Sequence, residues 1–172
     1  MRFNWITKIA AATLAVLAFT GAVYHGDRLL IDFPAGWTIS SPDKDGLVTA
    51  TEPGSVVNCN VQTRDVASLG DALADINAEY GHVFTVAEWA DLLGRKPEDI
   101  KLDLSDVTPF ADAFYHTSTF RIMATPTREV TVRYGFYVLP GRISMTGCYV
   151  TSSDYPAYKD RFDNTVDSFR PW

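Results

Sequence analysis

Residues 111–151 hold three long runs of β-type residues joined by tight connections, and a chain with such a stretch has to organise itself around an antiparallel sheet. From Ala113 to Met123, Glu129 to Leu139 and Arg142 to Thr151, the sequence is rich in Phe, Tyr, Val, Ile and Thr, residues suited to a pleated, half-buried surface. Pro140-Gly141 separates the last two runs. Proline presets the negative φ of the first central position of a type II turn, and glycine accepts the positive φ of the second. The stretch is therefore predicted to be a β-meander.

Side-chain parity predicts how that meander is covered. Phe114, Phe120 and Ile122 share one parity, as do Val130, Val132, Tyr134, Phe136 and Val138, so one face is core. The other face offers Tyr115, Met123, Tyr137 and Leu139 beside Thr117, Thr119, Thr131 and Arg133. That is too apolar for open solvent, and helices are expected on this side as well. In the third run Ile143, Met145 and Tyr149 share a parity that excludes Cys148 and Val150. Two readings stay open there: both faces are buried, or a bulge at Gly147 shifts the register.

Upstream, Arg28–Phe33, Trp37–Ser40, Leu47–Thr51 and Ser55–Gln62 read as short strands separated by Pro34-Ala35-Gly36, Pro42–Gly46 and Pro53-Gly54. The last of these strands places Val57, Cys59 and Val61 on one face. The period then changes to about 3.6. Ser68 and Asp71 resemble a capping pair for a helix carrying Leu69, Leu73, Ile76 and Tyr80 up to Gly81. Thr85 with Glu88 forms a capping box for a shorter helix bearing Trp89, Leu92 and Leu93. Ile100–Val107 alternates as a strand with Ile100, Leu102 and Leu104 on one side. A last helix is expected after Asp154, with Tyr158, Phe162, Val166 and Phe169 as its apolar stripe and Pro171 as its stop. The fold class is α+β: an antiparallel meander flanked by helices on both faces, an α/β/α sandwich.

The first residues differ from the rest. Arg2 and Lys8 lead into the uncharged run Ile9–Ala18, and Thr20-Gly21-Ala22 supplies small residues, the three parts of a secretory signal. The apolar run to Val23 is shorter than the roughly 20 residues that cross a bilayer. Residues 1–22 are thus expected to be a cleaved signal that leaves no membrane anchor, and residues 23–172 one globular domain, periplasmic or secreted. With 47% hydrophobic and 21% charged residues, the remainder has the composition of a domain with a sizeable core. Loss of Arg2 and Lys8 moves the formal charge from −6 to −8. An acidic field repels polyanions, which argues against nucleic acid and anionic lipid surfaces as partners.

Cys59 and Cys148, the two cysteines, both fall in predicted strands of a chain read as exported, where an even pair reads as a disulfide. The bond would close a loop of about 90 residues, with a stabilisation of roughly 4 to 5 kcal/mol on the chain-entropy estimate. No CxxC spacing or neighbouring histidine suggests a metal at this pair.

Chemistry-bearing motifs are sparse. The chain has no G-x-S-x-G elbow, H-E-x-x-H helix, Walker loop or Gly-rich dinucleotide turn. Of His25, His82 and His116, only His116 lies in a predicted strand, on the parity of Phe114 and Phe120. It reads as a core histidine; the rival reading is a secreted hydrolase that pairs His116 with Asp112 or Ser118, which geometry has to decide. Asp43-Lys44-Asp45-Gly46 reads as a surface turn, because its glycine sits in the fourth place and no acid stands twelfth, unlike a calcium loop. Trp37, Trp89 and Trp172 with Tyr115, Tyr134, Tyr137 and Tyr149 are expected in the core, with a ligand groove as the alternative. No catalytic, cofactor-binding or metal-binding residue is assigned, and no cofactor is expected.

Taken in order, short strands around Phe33-Pro34-Ala35-Gly36-Trp37, paired helices, a long meander and a closing Phe162–Phe169 helix resemble the PsbP-like superfamily over most of residues 27–170. That group, an α/β/α sandwich, includes extrinsic subunits of photosystem II, a nuclear transport factor and many exported bacterial proteins of unassigned role. The resemblance implies a non-enzymatic binding or assembly module of the cell envelope, with a protein or a small ligand as partner. The chain lacks the lipid-acceptor cysteine of the bacterial lipoprotein members, and no ligand set carries over to its residues. An inhibitor or immunity-type protein using the loops at 42–46 and 95–99 is the remaining alternative; oligomeric state is not legible.

Overall fold

A computed structural model of the chain describes residues 21–66, 73–111 and 113–172. Most of the expected signal segment therefore lies outside the described residues, as do Ser68, Asp71 and Asp112. The elements run β1 (Ala22–His25), β2 (Leu29–Phe33), β3 (Thr38–Ile39), β4 (Val48–Thr51), β5 (Asn58–Asp65), α1 (Leu73–Tyr80) and α2 (Val86–Leu92). A 3-10 turn (Pro97–Asp99) leads into β6 (Ile100–Phe110), β7 (Ala113–Thr125), β8 (Arg128–Leu139), β9 (Arg142–Thr151), α3 (Tyr155–Ser168) and β10 (Arg170–Pro171). A seven-stranded sheet has the order β3-β4-β5-β9-β8-β7-β6, and a three-stranded sheet the order β1-β2-β10. Every pairing is antiparallel. The class is α+β.

The meander forms as its residues predict. Leu139 pairs with Arg142 around Pro140-Gly141, and Gly141 has φ 69°, the left-handed value that the second turn position requires. Strand β9 pairs with β5 and with β8 in unbroken register. A bulge at Gly147 is therefore ruled out, and both faces of β9 are used: Cys148 and Val150 join one core cluster, while Ile143 and Met145 pack against another. Gly147 lies opposite Tyr134, whose ring would stand 2.9 Å from an added Cβ. The glycine lets the aromatic ring lie across its neighbour strand.

Three expectations need correction. Leu104 does not share a face with Leu102, because the register between β6 and β7 shifts between Leu102 and Leu104. Such a bulge returns Ser105 to the core side and leaves Leu104 48% exposed. Asp154 precedes α3, but its side chain makes no capping bond; it accepts hydrogen bonds from Thr151 and Ser153 instead. Pro171 does more than stop α3, since Arg170 and Pro171 pair with Leu30 and Leu29 and bring the C-terminus onto β2.

The core falls into adjoining clusters. The first joins Phe33, Cys59, Val61, Tyr115, Tyr137 and Cys148 with Phe162, Val166 and Phe169. A second joins Ile76, Phe84, Trp89, Phe136 and Val138, and a third Ala90, Ile100 and Phe120. Cys59 and Cys148 face each other across β5 and β9 and are disulfide-bonded. Helix α3 seats closely through Gly135, where an added Cβ would meet Tyr115 Oη at 2.2 Å and Val166 Cγ1 at 2.9 Å. In that space the Tyr115 hydroxyl donates to the Val166 carbonyl.

Candidate functional site

The segment Phe33-Pro34-Ala35-Gly36-Trp37 leaves β2 through a turn in which Gly36 takes φ 80° and the Trp37 N–H donates to the Pro34 carbonyl. The turn buries Phe33 and Trp37 and leaves its backbone along the rim of a cleft of about 640 Å³. Glu52 and Pro53 form a second wall, and Arg161, Asn164 and Thr165 of α3 a third. Glu52 lies between them, accepting from the Tyr158 hydroxyl and pairing with Arg161 Nη1 at 3.3 Å. Its carboxylate holds the Tyr158 phenol above the ordinary tyrosine range, chiefly through that hydrogen bond. Asp32 also lines the cleft, and its Oδ1 is buried without a hydrogen-bond partner. The lining thus offers carboxylates, a guanidinium and an amide over an aromatic floor, and no histidine or cysteine. Such a set recognises polar groups by hydrogen bonds and charge.

A second cleft, about 340 Å³, lies where α3 crosses β7 and β8 and is lined by Arg133, Arg170, Tyr115, Tyr137, Asp106 and Asp167 among others. Arg133 is only 6% exposed. Its Nε lies 2.9 Å from Asp163 and its Nη2 3.4 Å from Asp167, so two carboxylates of α3 neutralise a buried cation of the sheet.

His116 has no exposed surface. Its ring stacks on Phe136 at 4.6 Å with an interplanar angle of 11°, and Phe84 lies 4.5 Å away. The enclosing rings are Phe84 and Phe136, not its strand neighbours Phe114 and Phe120. It lines none of the clefts described here. Ser118 is equally buried, and its Oγ has no hydrogen-bond partner. A hydrolytic role needs a base within reach of a bound substrate, and among the described residues the His116 ring is fully enclosed. Burial holds the His116 imidazole down at about 4, against a weaker upward pull from the Tyr80 backbone.

The depressed value makes stability depend on pH in a defined direction. In the unfolded chain the imidazole titrates near 6.5, so between about 4 and 6.5 the unfolded state holds the extra proton. Stability from this group is complete above pH 6.5 and falls as the pH drops towards 4, by up to roughly 3 kcal/mol. Urea unfolding at pH 7 and pH 4.5 should show that loss in the wild type and a clearly smaller one in His116→Met. Equal pH dependence in both proteins would show that His116 is not held neutral.

Among the described residues, no group of three or more His, Cys, Asp or Glu is placed to hold a metal, and no helix is long and apolar enough to cross a membrane. Asp43 Oδ1 accepts from the N–H groups of Asp45 and Leu47, and Gly46 has φ 76°, the geometry of a side-chain-stabilised surface turn. Trp37, Trp89, Tyr115 and Tyr137 are buried in the core, as expected, although Trp37, Tyr115 and Tyr137 also reach the walls of clefts; Tyr149 lines the edge of another, and Trp172, expected in the core, is exposed at the C-terminus. Sequence reasoning missed Asp32, Glu52, Arg161 and Asn164 as partners. Tyr158 and Glu52 are 106 residues apart and meet only through the docking of α3.

No protein-family model matches the chain, and no curated protein matches it in sequence. The similarity lies in structure. Cyanobacterial PsbP (CyanoP) from Synechocystis sp. PCC 6803 superposes with a TM-score of 0.56, covering 90% of this chain and 94% of that one at 14% identity. The fold is PsbP-like. A protein of unknown function from Pseudomonas aeruginosa gives a TM-score of 0.50, covering 89% and 98% of the two chains at 15% identity. LpqN, involved in cell envelope biogenesis of Mycobacterium tuberculosis, gives 0.49 over 88% and 84% at 9% identity. Within this PsbP-like fold, the Phe33–Trp37 segment that carried the sequence resemblance forms the rim of the largest cleft described here.

Proposed function

We propose that the chain is an exported, non-catalytic binding or assembly module of the cell envelope, periplasmic or secreted, which takes a protein or a small ligand in the cleft between Phe33–Trp37 and α3. The observation that carries this reading is the cleft itself, with Glu52, Arg161, Asn164 and Asp32 set around an aromatic floor. The leader-like residues 1–22 and the disulfide support an oxidising, extracytoplasmic setting. The layered α/β/α arrangement belongs to the same proposal. It is supported by Phe136 and Tyr137, consecutive residues of β8, which fall in different clusters, one with α1 and α2 and the other with α3.

A photocrosslinking residue at Ala35, on the cleft rim, tests the proposal. In an envelope fraction it is expected to give an adduct of discrete mass that Arg161→Glu abolishes, while the same probe at exposed Lys96 gives none. The intact mass of the exported protein should lack residues 1–22. An adduct unaffected by Arg161→Glu, or none at all from Ala35, refutes the cleft as the binding surface.

A further inference from the structure

The face of the seven-stranded sheet that carries Phe120 and Trp89's aromatic neighbours is covered only in part. Phe120 packs with Ala90 and Ile100 beneath α2, and Ile122 and Val132 lie at the edge of that cluster. Beyond it the same face continues. Ile122 pairs with Val130, and Val132 with Tyr149, so these four side chains form one apolar shelf across β7, β8 and β9. With Val56, in the segment before β5, they line a groove of about 370 Å³. Val56 is 68% exposed and Tyr149 37% exposed, so the shelf meets solvent.

One charge borders this apolar surface. Arg128, the first residue of β8, is the sole ionisable side chain in the lining apart from the Tyr149 phenol. It has no ion pair among the described residues. The next residue, Glu129, points to the opposite face and is taken up by Lys101 and Arg121. Asp154 shares a neighbouring cleft with Arg128 but accepts from the Thr151 and Ser153 hydroxyls. The guanidinium is therefore a free forked donor at the end of a hydrocarbon-like trough, an arrangement complementary to a carboxylate on an apolar chain.

We infer that this groove binds a single-chain anionic amphiphile, a long-chain carboxylate, with its hydrocarbon along Ile122, Val130, Val132 and Tyr149 and its carboxylate on Arg128. From Val56 to β7 the groove crosses about three strand spacings, about 14 Å, the reach of on the order of ten carbon–carbon bonds. An amphipathic helix, about 10 Å across, is too bulky for it. An anionic bilayer is disfavoured by the chain's own net charge of −6. The groove shares no residue with the Phe33–Trp37 cleft, so neither proposal depends on the other.

Dodecanoate, titrated below its aggregation concentration into the purified exported protein, tests the inference by calorimetry. Saturable 1:1 binding is expected. Arg128→Glu should weaken it at least tenfold, Val56→Asp should abolish it without altering the melting temperature, and octanoate should bind far more weakly, by roughly fourfold per methylene lost. Dodecyl maltoside, with the same chain and no charge, should bind at least tenfold more weakly than dodecanoate. The inference is overturned if dodecanoate does not saturate at 1:1, if Arg128→Glu binds it as tightly as the wild type, or if the maltoside competes equally. Sedimentation with phosphatidylglycerol vesicles without dodecanoate binding would overturn it in favour of membrane docking.

Discussion

Breaking the Cys59–Cys148 bond will lower the melting temperature by about 10 to 15 °C, whether by reduction or by replacing both cysteines with alanine. The bond joins residues 89 apart, and closing a loop of that size removes unfolded-state entropy worth roughly 4 to 5 kcal/mol. For a chain of this length each kcal/mol shifts the midpoint by about 2 to 4 °C. Its position adds a second reason. Strands β3 and β4 reach the meander only through β5, so the bond fixes an entire outer flank of the sheet to β9. The eight-residue ladder from Asn58 to Asp65 remains after reduction, so the reduced protein should still fold and the loss should arise mainly in the unfolded ensemble. Reduced wild type and the double alanine variant separate the two contributions: both lose the cross-link, and only the variant loses the buried sulfurs. A fall of less than about 3 °C in both would show that the bond contributes little.

What the sequence made legible was local or tied to a strand's parity. The meander, its Pro140-Gly141 turn and the Thr85–Glu88 capping box all formed where their residues predicted. In the capping box the Thr85 backbone N–H, with the Thr85 hydroxyl and His82, holds the Glu88 carboxyl at about 2. The disulfide was readable because both cysteines sit in strands and are even in number. What was not legible depended on tertiary contact. The bulge near Leu102 leaves no mark in the alternation Ile100, Leu102, Leu104, which reads as an unbroken strand until Trp89 claims Ser105. Likewise Glu52 sits beside a turn, with nothing nearby to announce Tyr158 and Arg161. Nothing in the sequence singles out Arg128, and only the register of β7, β8 and β9 puts it at the end of an apolar shelf. Pro171 read as a stop because proline lacks an N–H; it can still occupy the edge of a small sheet, where no ladder bond from that nitrogen is needed.

Trp89→Ala should be the most damaging single substitution in the core around α2, by about 3 to 5 kcal/mol. The indole has no exposed surface and meets Tyr134 and Phe136 edge-on at 5.9 and 5.4 Å, with Phe84 5.6 Å away. No neighbour can collapse into the space easily, because those rings are themselves held by the sheet and by one another. Trp89 also carries a polar chain: its Nε1–H donates to Ser105 Oγ, and that hydroxyl donates to the Phe84 carbonyl. Loss of the indole leaves Ser105 without its donor, in a place opened only by the β6 bulge. Trp89→Phe separates the two effects. It keeps most of the ring volume and loses the N–H, so its cost should be about 1 to 2 kcal/mol, the size of one buried hydrogen bond and a small cavity. Urea unfolding should give both values with unchanged m, since the surface exposed on unfolding stays the same. If Trp89→Phe costs as much as Trp89→Ala, the polar chain through Ser105 governs how α2 is fixed to β6; if Trp89→Ala costs under about 1.5 kcal/mol, α2 does not depend on its indole for packing against the sheet.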